Sequence, residues 1–450
     1  MARSARRPGR QAQVAGLLLS ALAGACASVG SPPGGPPDSL PPQIVHVSPE
    51  SGSVVPKWND DVSIQFDEVI DEQPGGTGGG GVGSGLEREV LLSPAKGGVR
   101  VGWHRSRVSV KPREGWKKRV YRLEILPGFV DMRRNRFDST RVVIFTLGPE
   151  IGHARIGGIA LKWIEQGIMA RALIEAVPLP DSTGYLTLAD SGGQFNLTNL
   201  QPGRYIVYAT NDENNDHRRG LREAYDSTIV TVDSSTNVAL FAFPHDTNPP
   251  RPRSASSVDS LDVRVEFNQA LDPGTTIDTG AVHVLTLPDS TPLAAERVFT
   301  EKQFDSVTTA AAAARDTARA KMAHDTSAQP NVHPTVPPPP PPPPPAQPPR
   351  AAPARGGGPR QQPSRTHVDT ALVRKLLAQR PIPSDKFVIR LARPLKPETR
   401  YAVRVRGATN LVGKKGDGDI GFSTPKATPV DTTHHAPRPA PPTPPPPPPP

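Results

Sequence analysis

Cysteine is almost missing from this chain: Cys26 is the single one among 450 residues, so no disulfide can form within it. Aromatic residues make up 5% and the whole hydrophobic set 35%, thin for a large enzyme core. Val, Ile, Leu and Thr fall in short runs parted by Gly, Pro, Asp and Ser, the pattern of small β domains. No apolar run of the roughly 18 residues needed for a stable membrane span follows the N-terminus. HExxH, GxSxG and Walker A segments are lacking, which removes the usual sequence pointers to metalloprotease, serine-hydrolase and P-loop chemistry. Self-similarity at a period of about 20 to 50 residues is also missing, so a solenoid or propeller is not expected.

Proline and glycine are plentiful instead, 57 and 40 residues, about a fifth of the chain. That share excludes one continuous globule and leaves ~300 residues for packed domains, ample for buried cores. The excess sits in two blocks, one holding the nine prolines from Pro337 to Pro345 and the other a tail over 426–450 that ends in seven prolines. The first is expected to be polyproline II and the tail to be disordered.

Arg3, Arg6, Arg7 and Arg10 precede an apolar segment from Val14 to Ala25 without an acidic residue, the layout of a secretory signal over residues 1–25. Pro8-Gly9-Arg10 behind the twin arginines speaks against the twin-arginine route. Leu22-Ala23-Gly24-Ala25-Cys26 resembles a bacterial lipoprotein lipobox, with Leu22 one place further out than usual. The resemblance implies cleavage before Cys26 and acylation of that residue; an ordinary signal with an incidental cysteine is the other reading. Residues 26–43, rich in Pro and Gly, would then be a tether, and Ala27 favours the outer membrane over the inner. The mature chain is expected to be anchored without spanning.

From Ile44 onward seven short candidate strands fall within about 105 residues, at Ile44–Val47, Val62–Phe66, Glu89–Ser93, Val99–Trp103, Val108–Val110, Val120–Leu126 and Val142–Leu147. Strict alternation in Val62-Ser63-Ile64-Gln65-Phe66 marks a half-buried strand. Together they predict an antiparallel sandwich. Pro42-Gln43-Ile44-Val45, Ser48-Pro49, Gly52, Ile64 to Asp71, Tyr121 to Ile125, Asp131, Asn135 and Phe145-Thr146 resemble the SbsA-type bacterial Ig-like domain, over residues 41–148. The glycine-rich loop from Gly75 to Gly85 is longer than that pattern expects.

The chain also resembles itself. Val62 to Asp71 aligns with Val263 to Asp272 at an offset of 201, setting Phe66 on Phe267, and Tyr121 aligns with Tyr401 at an offset of 280. A second Ig-like copy over 246–425 is therefore expected, interrupted by an insertion at about 300–383 between two strands, where length is tolerated at modest entropic cost. Within it, residues 303–323 read as helix-prone but poorly amphipathic. Asp369 is placed to cap a helix that buries Leu372, Val373, Leu376 and Leu377 and stops at Pro381.

Between the copies, residues 153–245 give seven more candidate strands. Asp190-Ser-Gly-Gly-Gln-Phe195-Asn-Leu197, then Leu200-Gln-Pro202-Gly203-Arg-Tyr205-Ile-Val207, resembles the carboxypeptidase-regulatory-like, transthyretin-like module. Gly192-Gly193 permit a tight turn, and Phe195, Leu197, Tyr205 and Val207 are expected to share one core. The resemblance implies a non-catalytic appendage. The fold class expected for the whole chain is all-β, tandem antiparallel Ig-like sandwiches with a proline-rich insertion and tail.

Two clusters carry candidate chemistry. Asp212, Asn214, Asp216 and Glu223 place oxygens at relative positions 1, 3, 5 and 12, a calcium-loop spacing. His217 stands where such a loop needs Gly, and a solvated Asx-rich hairpin is the other reading. Residues 96–141 hold fourteen Lys or Arg against four Asp or Glu. Arg100, Trp103, Arg107, Lys111 and Arg122 are the candidate surface for an anionic ligand such as envelope polysaccharide; the other reading takes the basic residues as the solvated face of alternating strands. The formal charge of +10 falls to +6 when the four signal arginines leave. Export makes nucleic acid a poor partner. No cofactor other than calcium is indicated. The expectation is a non-enzymatic envelope lipoprotein of structural or adhesive role, partnered by the membrane through its anchor and by envelope polysaccharide or proteins; the alternative is a glycan- or peptidoglycan-binding accessory to a separate enzyme.

Overall fold

The structure is a computed structural model and describes residues 38–73, 85–325 and 370–426. Cys26, the tether up to residue 37, the glycine loop over 74–84, the proline run, Asp369 and the tail from 427 lie outside the described residues. Two compact units emerge. Among the described residues, one holds those up to Leu92 with Gly97–Lys117 and Leu123–Leu147; the other holds those from Gly148 onward together with Ser93–Lys96 and Lys118–Arg122.

The first sandwich is built from β1 (Ile44–Ser48), β2 (Val62–Phe66), β3 (Val90–Ser93), β4 (Val99–His104), β5 (Arg107–Pro112), β6 (Val120–Ile125) and β7 (Arg141–Thr146). Its sheets run β1-β2-β5-β4 and β3-β6-β7. The alternation read in β2 holds residue by residue, with Val62, Ile64 and Phe66 buried and Ser63 and Gln65 half-buried. Strand β6 departs from alternation, since all six of its residues are buried. Phe66 packs at 5.1 Å from Phe129 and edge-on to Phe137 at 6.3 Å.

The second sandwich follows as β8 (Ala154–Lys162), β9 (Gly167–Ile168), β10 (Leu173–Pro178), β11 (Tyr185–Leu188), β12 (Gln194–Leu200), β13 (Gly203–Thr210), β14 (Tyr225–Val232) and β15 (Ser235–Ala242). One sheet runs β11-β10-β13-β14, the other β12-β8-β15 with β9 on β8. Phe195, Leu197, Tyr205 and Val207 meet in one buried cluster with Ile156, Ile174 and Leu240, as the pattern predicts. The turn before β12 needs glycine, because Gly193 has φ +74° and a Cβ there would lie 2.6 Å from the Ala160 carbonyl. The pairing of β15 with β8 is parallel, unlike the other pairs of this sandwich.

The third sandwich comprises β16 (Pro252–Ser257), β17 (Asp262–Leu271), β18 (Val282–Thr286), β19 (Thr291–Leu293) and β20 (Ala295–Thr300), then helices α1 (Glu301–Asp325) and α2 (Thr370–Ala378), then β21 (Ser384–Leu391), β22 (Arg400–Thr409) and β23 (Lys415–Ser423). Its sheets are β16-β17-β21-β20 and β19-β18-β22-β23. This repeats the first sandwich strand for strand, with β19 added at one edge. Phe267 and Tyr401 are buried like Phe66 and Tyr121. In the first copy β4 and β5 are joined by the turn Arg105-Ser106 across the pair His104 and Arg107; in the third, α1 and α2 stand between the corresponding β20 and β21.

Helix α1 is anchored near its start, where Phe304 packs with Phe299 and Val388. Helix α2 returns to the second sandwich. Val373 and Leu377 bury against Ile159, Leu161 and Phe241, on the outer side of the sheet whose inner side carries Ile156 and Leu240. The Arg380 guanidinium lies 4.3 Å from the Phe241 ring centre, and Trp163 Nε1 donates to the Pro381 carbonyl at 3.1 Å. Leu372 corrects the expectation: it is 42% exposed, because the apolar stripe of a nine-residue helix admits Val373, Leu376 and Leu377 but turns position 372 away.

Candidate functional site

The basic face is a property of strand alternation. Residue Arg100 stands opposite Lys111, Gly102 opposite Ser109 and His104 opposite Arg107, so these side chains share one side of the β4–β5 pair. Arg100, His104 and Arg107 are exposed. Like charges directly opposed cost stability, and among the described residues the Arg100–Lys111 pair is relieved at Lys111, whose Nζ bridges Asp61 at 3.5 Å and donates to the Asn59 carbonyl at 2.9 Å. Val99, Val101 and Trp103 belong to the other side. The Trp103 indole donates to the Ile70 carbonyl at 2.9 Å, and the tryptophan does not join the arginines.

Arg122 also leaves the predicted group. It is 4% exposed and lies in β6, in the opposite sheet from β4 and β5. Reading it as an outward residue assumed alternation in a strand that is buried along its whole length. Three of the five predicted residues, Arg100, Arg107 and Lys111, thus share a face, with His104 the member that charge counting passed over.

The predicted calcium loop is the hairpin connection between β13 and β14, closed by Asn211 N donating to the Ala224 carbonyl at 2.8 Å. Its oxygens are turned onto its own backbone. The Asp212 carboxylate accepts from the N–H groups of Asp216 and His217 at 3.1 and 2.9 Å, and Asn214 Oδ1 accepts from Asp216 N–H at 2.9 Å. Asp216 accepts from Arg218 N–H and Glu223 from Gly220 N–H, at 2.9 and 2.7 Å. These interlocking turns hold Asn215 and His217 at φ 53° and 57°, which explains how the loop dispenses with the glycine at 217.

Another acidic cluster escaped the sequence. Asp38, Glu68 and Asp131 bring carboxylate oxygens within 4.8 Å of one another. Asp131, following β6, accepts from Arg133 N–H at 2.7 Å and Asn135 N–H at 2.8 Å through Oδ1, and from Asn135 Nδ2 at 2.7 Å through Oδ2. Burial pushes its carboxyl up, but these bonds outweigh it and hold the group below the ordinary carboxylate range. Glu68 goes the other way, raised by burial first and then by the charges of Asp131, Asp38 and Asp67. The close approach of the Glu68 and Asp131 carboxylates favours keeping one of the two protonated. Glu68 and Asp131 are 63 positions apart, so no local spacing could have revealed the pair.

No protein-family model and no curated protein matches the chain. Among solved structures, the N-terminal part of the bacterial S-layer protein SbsC is 12% identical over 39% of this chain and 24% of that one, with a TM-score of 0.19. The TIE protein of Bacillus anthracis is 10% identical, covering 64% and 52%, at 0.15. BcpA, the major pilin subunit of Bacillus cereus, is 11% identical, covering 45% and 70%, at 0.16. The chain spans about a quarter and about half of the length of the first two. Likenesses at these scores carry no functional argument. The assignment to tandem β-sandwiches rests on the strand orders and buried faces described above.

Proposed function

We propose that this chain is a non-catalytic lipoprotein of the bacterial cell envelope, anchored through Cys26, that presents tandem Ig-like sandwiches as a structural or adhesive element. On this reading the first and third sandwiches are SbsA-type Ig-like copies flanking a transthyretin-like module. The observation that carries it is the return of α2 onto the second sandwich. It ties the third sandwich to the second, and both lie within one compact unit. A protein that displays surfaces at a distance from a bilayer gains from such ties, because they stop its modules from moving independently. The anchor is tested by expressing the full chain with labelled fatty acid beside a Cys26→Ser form and fractionating the membranes. Label in the native chain alone supports the reading, and release of an unlabelled native chain sinks it.

The exposed Arg100–His104–Arg107 face favours a second reading, an accessory that holds anionic envelope glycan for a separate enzyme. Retention on acidic polysaccharide that Arg100→Glu with Arg107→Glu abolishes, while Arg122→Leu does so only by unfolding the chain, would support it.

A further inference from the structure

The first and third sandwiches contain one hydrogen-bond plan executed in two chemistries. In the third, Asn410 Oδ1 accepts from Val412 and Lys414 N–H at 3.2 and 2.8 Å, and Asn410 N–H donates to the Lys414 carbonyl at 3.0 Å. In the first, Asp131 makes the same bonds with Arg133 and Asn135, including N–H to the Asn135 carbonyl at 3.0 Å. Asn410 bridges Leu271 as Asp131 bridges Ile70. Asp67 and Asn268, also equivalent at the offset of 201, each accept a backbone N–H at 2.8 Å, from Gln43 and Arg251. That offset sets Glu68 on Gln269.

The difference lies in the closing bond. Asn410 Nδ2 donates to Gln269 Oε1 at 3.0 Å, amide to amide, with donor and acceptor matched at any pH. Glu68 and Asp131 offer two acceptors unless one proton is retained. Asp38 and Asp67 lie close enough to Glu68 to act on its charge, and the segments that meet here also carry Asp71 after β2, Arg105 of the β4–β5 turn, and Arg133, Arg134 and Arg136 of the β6–β7 loop. Of these, Arg134 pairs with Asp71 at 3.4 Å, and Asn135 Nδ2 donates to the Asp38 carbonyl at 3.2 Å.

We propose that Glu68 and Asp131 form a pH-operated latch: one proton on Glu68 fastens the segment after β2 and the residues at Asp38 to the β6–β7 loop, and its loss leaves three repelling carboxylates that loosen this corner. The third sandwich carries the same latch permanently closed. The upward displacement of Glu68 gives the sign, since a group raised in the folded state stabilises it at low pH and stops doing so as pH rises through the folded value.

Hydrogen exchange on the full chain tests this with its own internal reference. Protection of peptides covering 129–137, divided by that of peptides covering 408–416 in the same sample, cancels the intrinsic effect of pH on exchange. From about pH 5 to about pH 8 the ratio is expected to fall about tenfold in the native chain. It should stay flat in Glu68→Gln, which copies Gln269. The reciprocal Gln269→Glu, with Asn410→Asp, should transfer the pH dependence to 408–416 and decides the matter if Glu68→Gln does not fold. A flat ratio in the native chain, or an unchanged slope in Glu68→Gln, overturns the latch. So does protection at the higher pH that millimolar calcium restores in the native chain, because the cluster would then answer to a cation.

Discussion

Tyr205 shows how one buried hydroxyl couples a module to pH. Its Oη donates to the Gln201 carbonyl at 2.7 Å, and burial, with Tyr185 nearby, pushes the phenol up to about 12. An unfolded tyrosine ionises near pH 10. The second sandwich should therefore keep this contribution below about pH 10 and lose it as pH rises toward about 12. Tyr205→Phe should flatten that limb of an alkaline denaturation curve, with phenolate absorbance as the independent readout. Asp262 gives a second test: it is 1% exposed, and Arg390 grips it with Nε at 2.9 Å and Nη2 at 2.8 Å. Arg390→Ala strands a buried carboxylate and is expected to cost about 3 kcal/mol by urea unfolding, at the low end for buried pairs because the guanidinium is partly exposed. Residues of this kind were only half legible. Phe66, Phe267, Tyr121 and Tyr401 declared themselves through the internal alignment, whereas Arg122 could not, because a strand buried along its whole length erases the alternation that tells inside from outside.

At the scale of elements, α2 is the informative piece. Its apolar residues were readable from their helical spacing, but their destination was not, since they pack on β8 and β15 of another sandwich more than 130 positions earlier. Leu377→Asp is expected to lift the helix off that sheet. Trp163, hydrogen-bonded to the Pro381 carbonyl and 5.6 Å from the Arg380 guanidinium, should report this as a red-shifted emission, and protease should cut near 370–381 faster. The milder Leu377→Ala should cost about 2–3 kcal/mol locally. The insertion itself was visible in composition and arithmetic; its seat at the equivalent of the Arg105-Ser106 turn emerged once the two strand orders could be laid side by side.

For the whole molecule, two compact units predict two transitions. Heating the chain should resolve them by calorimetry, and Phe66→Ala should move one while Phe387→Ala moves the other, each by about 3–5 kcal/mol. On the second reading proposed above, retention of acidic polysaccharide on the β4–β5 face should weaken steeply with ionic strength, since only exposed charges would take part. Tandem sandwiches were written into the sequence as strand spacing and turn residues. The candidate sites were written far less clearly, because a face or a carboxylate pair is assembled from strands that the chain visits at distant times.

The parallel pairing of β8 and β15 also has a mechanical meaning. The chain enters the second sandwich at Ala154 and leaves at Ala242 along two adjacent strands that point the same way, in register from Arg155–Ser235 to Lys162–Ala242. Tension applied along the polypeptide pulls those strands past each other lengthwise, so their hydrogen bonds bear the load together instead of opening one by one. A module wired in this way transmits force between its neighbours before it yields.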